Sequence, residues 1–93
     1  MELAELKYFS HDNCSVCKVL LPKVKALIAS EYPQMSFQYI NIEENAQEAA
    51  EYQVYSAPTI LIFFEGKEYY RFGRNVSLQQ VDEAIQRPYS LLF

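Results

Sequence analysis

The sequence contains no tryptophan, only two glycines and a single histidine. It has no apolar run near the roughly 18 residues that a membrane-spanning helix requires. Its eight lysines and arginines are scattered among twelve acids, and no basic stripe of the kind that neutralises phosphate occurs. These absences argue against a membrane protein and against a nucleic-acid partner. No low-complexity tract or internal repeat breaks the chain, which argues against a solenoid or a disordered arm. The opening Met-Glu-Leu-Ala-Glu has no basic segment leading into an apolar stretch, so, read as a native start, it predicts a cytoplasmic protein.

What is present is a good core. Half of the residues are apolar, and eight tyrosines and six phenylalanines add bulk. Over residues 1–93 this suits one domain. Leu3 to Phe9 reads as a strand, and the polar stretch Ser10-His11-Asp12-Asn13 supplies a loop with candidate helix caps. Val16, Leu20, Val24 and Leu27 then recur at helical spacing as far as Glu31. Pro22 lies inside that pattern, where its missing N–H predicts a kink one turn past the second cysteine. Met35 to Ile42 predicts a second strand. Asn45 with Glu48 predicts a capped short helix to Tyr52. The unbroken apolar run Thr59–Phe64 predicts a strand buried on both faces. Glu65-Gly66-Lys67 predicts a tight turn into a strand over Glu68–Phe72. Ser77 and Gln80 predict a capping box for a last helix, with Leu78, Val81 and Ile85 on one face and Pro88 as its stop. Residues 88–93 are then a short apolar tail. The order β-α-β-α-β-β-α describes an α/β fold with a mixed four-stranded sheet and helices on both faces.

Both cysteines fall in one C-x-x-C, between the first strand and the first helix. Residues at i and i+3 of a helical turn have Cβ atoms about 5–6 Å apart, and a disulfide needs about 3.5–4.5 Å. A small local adjustment therefore opens or closes a Cys14–Cys17 bond. The first cysteine faces unpaired N–H groups and the positive end of the helix dipole, which favour its thiolate. A free thiol with a pKa of about 8.5 is ionised to only about 3% at neutral pH, and a pKa of about 7 raises that to about half. That shift needs about 2 kcal/mol. These arguments assign Cys14 as the attacking thiol and Cys17 as the resolving one. Two other readings stay open: half of a zinc site, to which His11 adds only a third ligand, and a pair of inert buried thiols.

Taken together, these motifs resemble the thioredoxin superfamily over nearly the whole chain. The C-x-x-C is Cys14-Ser15-Val16-Cys17, Lys18 follows it, and Pro22 matches the proline of the active-site helix. Tyr39-Ile40-Asn41-Ile42-Glu43 resembles the second-strand segment. Ala57-Pro58-Thr59 matches the cis-proline signature that opens the central strand. The resemblance implies a thioredoxin-like fold and a thiol–disulfide oxidoreductase. It also implies that the backbone of Ala57, before a cis Pro58, binds extended substrate. Disulfide-containing protein substrates, an upstream reductase, a monomer, no metal and no cofactor beyond the Cys14–Cys17 disulfide follow from it.

The departures from that pattern are specific. Asn13 stands where thioredoxins carry tryptophan, and Ser15-Val16 replaces Gly-Pro. Tyr8 and Tyr39 stand where thioredoxins have a buried Asp and a Lys, so the acid–base partner of the second cysteine is missing. Tyr8 reads as a core aromatic whose hydroxyl, like Asp12, is a candidate substitute. His11, Asp12 and Lys18 are candidates for electrostatic tuning of Cys14. No basic cluster or glycine pair marks a glutathione site, which disfavours the glutaredoxin branch. The alternative function is a binding or adaptor module on the same fold, with a regulatory or vestigial dithiol.

Overall fold

The computed structural model describes residues 3–93. It contains β1 (Ala4–Ser10), α1 (Ser15–Glu31), β2 (Ser36–Asn41), α2 (Ala46–Glu51), β3 (Thr59–Phe64), β4 (Lys67–Phe72) and α3 (Leu78–Leu92). The sheet order is β2-β1-β3-β4. β1 runs parallel to β2 and antiparallel to β3, and β3 pairs antiparallel with β4. The expected mixed four-stranded sheet and element order are both present.

Alternation along the two central strands sends side chains to two separate cores. Leu6, Tyr8, Ile60, Ile62 and Phe64 meet Cys17, Val24 and Ile28 of α1 and Val81 and Ile85 of α3. Phe9, Leu61 and Phe63 meet Ile40, Ala49 and Val54 on the α2 side. Every residue of β3 is buried, as its unbroken apolar run predicts. Each such large side chain contributes about 1.5–3 kcal/mol when removed from water. Lys7 is also buried, on the α2 side, where its ammonium lies 3.4 Å from Glu5 and over the Tyr52 ring. Its long stem covers apolar surface while the charged end keeps polar partners.

The β3–β4 hairpin turns through Glu65 and Gly66, both at positive φ, which is the twist that matches flanking strands. Ser77 and Gln80 form the predicted capping box, with both reciprocal hydrogen bonds made. Asn45 precedes α2 as predicted, but its side chain makes no cap; the amide donates to the Asn41 carbonyl instead.

Pro22 and Pro88 both lie inside helices. α1 passes through Pro22 without ending, and the residue faces solvent, where the carbonyl that lost its donor can be hydrated. Pro88 does not stop α3, and residues 88–93 are not a separate tail: the helix continues to Leu92. Packing explains the continuation. The Tyr89 ring meets Tyr32 edge-on at 4.9 Å and Phe93 at 4.7 Å, and its hydroxyl accepts the Gln34 N–H at 3.0 Å. Leu92 packs on the core beside it. These contacts offset the one backbone bond that Pro88 deletes. Deeper in the same seam, the Tyr32 hydroxyl donates to the Asp82 carboxylate. Burial, followed by that carboxylate, holds the Tyr32 phenol well above its ordinary pKa.

Tyr89→Ala is expected to cost about 2 kcal/mol, read as a lower urea midpoint with unchanged slope. A change below about 0.5 kcal/mol would show that the last turn of α3 does not depend on this aromatic seam.

Candidate active site

Three strand ends converge beneath the start of α1. Ser10 at the end of β1 aligns with Asn41 at the end of β2, and Phe9 aligns with Thr59 at the start of β3. The C-x-x-C loop leaves the first of these strands, and Pro58 enters the third. The register therefore sets the two motifs side by side although they lie far apart in sequence.

Cys14 itself is the N-cap of α1, rather than a polar residue of the Ser10–Asn13 loop as the loop composition predicts. Its backbone is extended, its N–H donates to the His11 carbonyl at 3.2 Å, and its Sγ accepts the Cys17 N–H at 3.1 Å. A sulfur thus occupies the place that a cap oxygen fills in ordinary helices. Cys14 and Cys17 are joined in a disulfide with Cα atoms 5.2 Å apart. Their exposures differ: 8% of Cys14 is accessible against 1% of Cys17. The first turn of α1 carries no acidic residue, so nothing there opposes the positive end of the helix.

The flanking residues are mostly committed to holding the loop. The His11 Nδ1 accepts the Asn13 N–H at 3.2 Å. The Asp12 carboxylate accepts from the Asn41 amide at 3.0 Å, and the Asn41 side-chain oxygen accepts the N–H groups of Glu43 and Glu44. Asn41 is buried and ties the dithiol loop to the β2–α2 turn; the sequence reading did not single it out. Lys18 projects into solvent and makes no ion pair among the described residues.

Tyr8 lies completely buried under the dithiol and donates its hydroxyl to the Cys17 carbonyl at 2.8 Å. It is the core aromatic that was expected, and it also contacts the backbone of the second cysteine. Tyr39 stacks on it at 6.3 Å and is half exposed. Burial, with a smaller contribution from Tyr39, raises the Tyr8 phenol to about 12. A neutral donor that does not ionise at physiological pH thus stands beneath Cys17.

On the other side, the Ala57–Pro58 peptide bond is cis and Pro58 is buried. The Thr59 hydroxyl closes this turn by donating to the Ser56 carbonyl at 2.7 Å. Among the described residues no hydrogen bond reaches the Ala57 backbone. Arg71 of β4 reaches across to the segment before this turn, donating to the carbonyls of Tyr52 at 2.7 Å and Gln53 at 2.9 Å. Glu68 holds the same guanidinium and is itself kept below the usual carboxylate range by that hydrogen bond. Arg71 reads as an ordinary strand charge in the sequence, because its acceptors are backbone atoms. Among the described residues no group of three or more Cys, His, Asp or Glu side chains is placed to hold a metal ion.

A redox-active cysteine pair at a helix N-terminus, flanked by a cis-proline turn on a β-α-β-α-β-β-α scaffold, defines a dithiol–disulfide oxidoreductase. The Thioredoxin family profile matches residues 4–87, and the chain belongs to that family. It is 30% identical over 84 residues to the thioredoxin-like protein YdfQ of Bacillus subtilis, covering 90% of this chain and 74% of that protein. It is 36% identical over 78 residues to a thioredoxin of Chlamydia trachomatis, covering 84% and 72% respectively. Thioredoxin 1 of Thermosipho africanus superposes with a TM-score of 0.86 at 32% identity, over 95% of this chain and 97% of that one.

The phenol gives an alkaline prediction. Because the folded state raises the Tyr8 pKa from 10.0 to about 12, its contribution is complete below pH 10 and is lost as pH rises through about 12. Tyr8→Phe should remove part of the stability loss between those values, seen in urea midpoints of the oxidised protein. An alkaline loss identical in both proteins would show that Tyr8 titrates as it does unfolded.

Proposed function

We propose that the chain is a cytoplasmic protein-disulfide reductase, acting as a monomer, in which Cys14 attacks and Cys17 resolves. The observation that carries the assignment of roles is the asymmetry of the pair. Cys14 is the cysteine with accessible surface, and as the N-cap its sulfur accepts a backbone N–H of the first turn; Cys17, the third residue of the helix, has almost no accessible surface. An attacking sulfur must be reachable and ionised, whereas a resolving sulfur needs only to reach its neighbour.

In the reduced protein the Cys14 thiolate bonds one sulfur of the substrate disulfide, and the other substrate sulfur leaves as a thiolate. Cys17 loses its proton and attacks the Cys14 Sγ. The mixed disulfide breaks, the second substrate sulfur departs, and the Cys14–Cys17 bond closes. Two electrons pass to the substrate, whose two sulfurs take up two protons. A reductase then returns two electrons to the protein. The Ala57 backbone, free of internal partners, supports extended substrate beside Cys14, and Pro58 forms the buried floor of that turn. Tyr8 occupies the place of an acid–base group but is neutral, so deprotonation of Cys17 falls to solvent or to the departing thiolate. His11 and Asp12 act by shaping the loop, and Lys18 adds a positive charge next to Cys17.

Two measurements test this reading. Cys17→Ser should accumulate mixed disulfides with protein substrates, resolved by non-reducing gel and mass spectrometry, and Cys14→Ser should not. Equal trapping by both variants would overturn the roles. The equilibrium reduction potential should lie near −270 mV, as for thioredoxin; a value near −120 mV, as for a strong oxidant, would overturn the reducing direction.

A further inference from the structure

A surface groove of about 350 Å³ begins at the residues between the two cysteines and runs along α1. Its walls are Ser15, Val16, Val19, Leu20 and Lys23 from the helix, and Val76 from the loop before α3. Positions 16, 19, 20 and 23 share one helix face by their spacing. The groove is apolar except at its rim, and Val19 is left 61% exposed. Val16, Leu20 and Val76 pack their inner sides on the core shared by α1 and α3, and Val19 stands outside it.

Charge is distributed unevenly around it. The one charged residue lining the groove is Lys23, and the loop that forms its far wall carries Arg74 two positions before Val76. From Ser15 to Ser30, α1 contains Lys18, Lys23 and Lys25 and no acid. The chain as a whole carries a net charge of −4, and the hollow beside α2 is lined by Glu44, Glu48 and Glu51. A basic, apolar groove therefore opens at the dithiol of an acidic protein.

We infer that this groove docks an acidic, apolar segment of the protein substrate, next to the disulfide that Cys14 attacks. The inference rests on the reductase reading. Leucine-sized side chains fill the space between Val16, Leu20 and Val76, and a carboxylate meets Lys23. Complementary charge of this kind steers encounter and selects partners more than it adds raw affinity. The uniform net charge predicts the opposite preference, for basic substrates, so the sign of the selectivity is diagnostic.

The test uses two synthetic peptides, each with one cysteine activated as a 2-pyridyl disulfide and followed by two leucines. One then carries three glutamates and the other three lysines. The reduced protein attacks the peptide sulfur, 2-thiopyridone leaves, and closure of Cys14–Cys17 frees the peptide thiol. Neutral 2,2′-dipyridyl disulfide measures the chemistry without a docking segment. At low salt the glutamate peptide should react at least about 5-fold faster than the lysine peptide, a difference that shrinks as salt screens the charges. Lys23→Glu should remove that advantage and leave the rate with dipyridyl disulfide unchanged. Lys25→Glu makes the same change in net charge outside the groove and should retain it.

Equal rates for the two peptides, a preference for lysine, or equal losses in Lys23→Glu and Lys25→Glu overturn the groove. Failure of the unmodified protein to react with dipyridyl disulfide overturns the reductase reading instead.

Discussion

The unpaired N–H groups at the start of α1 are the feature around which the rest of the site is arranged. A helix terminus needs acceptors, and here the acceptor is the sulfur of Cys14. The cap that begins the helix is therefore one of the two sulfurs of the disulfide. In the proposed mechanism those donors face a thiolate, and the energy needed to bring a thiol into the useful range is only about 2 kcal/mol. The absence of acid in the first turn keeps that field intact. An Asp at Ser15 or Lys18 would be an ordinary helix-stabilising choice, and it would work against the thiolate.

A cap has to be held in place, and the sheet does this from below. β1 and β2 end together at Ser10 and Asn41, and β3 starts beside them at Thr59. The Asn41 side chain then bridges the dithiol loop and the β2–α2 turn. Arg71 fixes the segment leading to Pro58 from the far edge of the sheet. Tyr8 supports the first turn of α1 from within the core. Tyr8 and Tyr39 form a stacked pair on the sheet, and the Tyr8 hydroxyl places a neutral donor beneath Cys17. The groove along α1 adds a further difference, since without tryptophan the apolar surface beside the dithiol comes from aliphatic side chains.

The element order, the buried strand β3, the capping box at Ser77 and the dithiol were legible because each is a local pattern. Period 3.6, period 2, an unbroken apolar run and a short motif all depend on neighbours in sequence. The errors share a cause. Pro88 carries a strong local stop signal, yet α3 continues because Tyr89 finds Tyr32 and Gln34, more than fifty residues away in the chain. The loop before α1 offered ordinary capping side chains, and the structure uses Cys14, while the Asp12 carboxylate is taken by Asn41 from the end of β2.

By itself, the sequence determined the fold class, the family resemblance and the identity of the two sulfurs, since these reside in residue type and short-range spacing. The tertiary structure alone decided which side chains surround those sulfurs. Strand register brought Thr59 and Pro58 beside the end of β1, and it aligned Tyr8 with Tyr39. Burial distinguished Cys14 from Cys17, and folding gathered Val16, Lys23 and Val76 into one groove. None of this is encoded in a local pattern, because which distant residues meet is settled only when the apolar faces of the helices and the central strands are buried together.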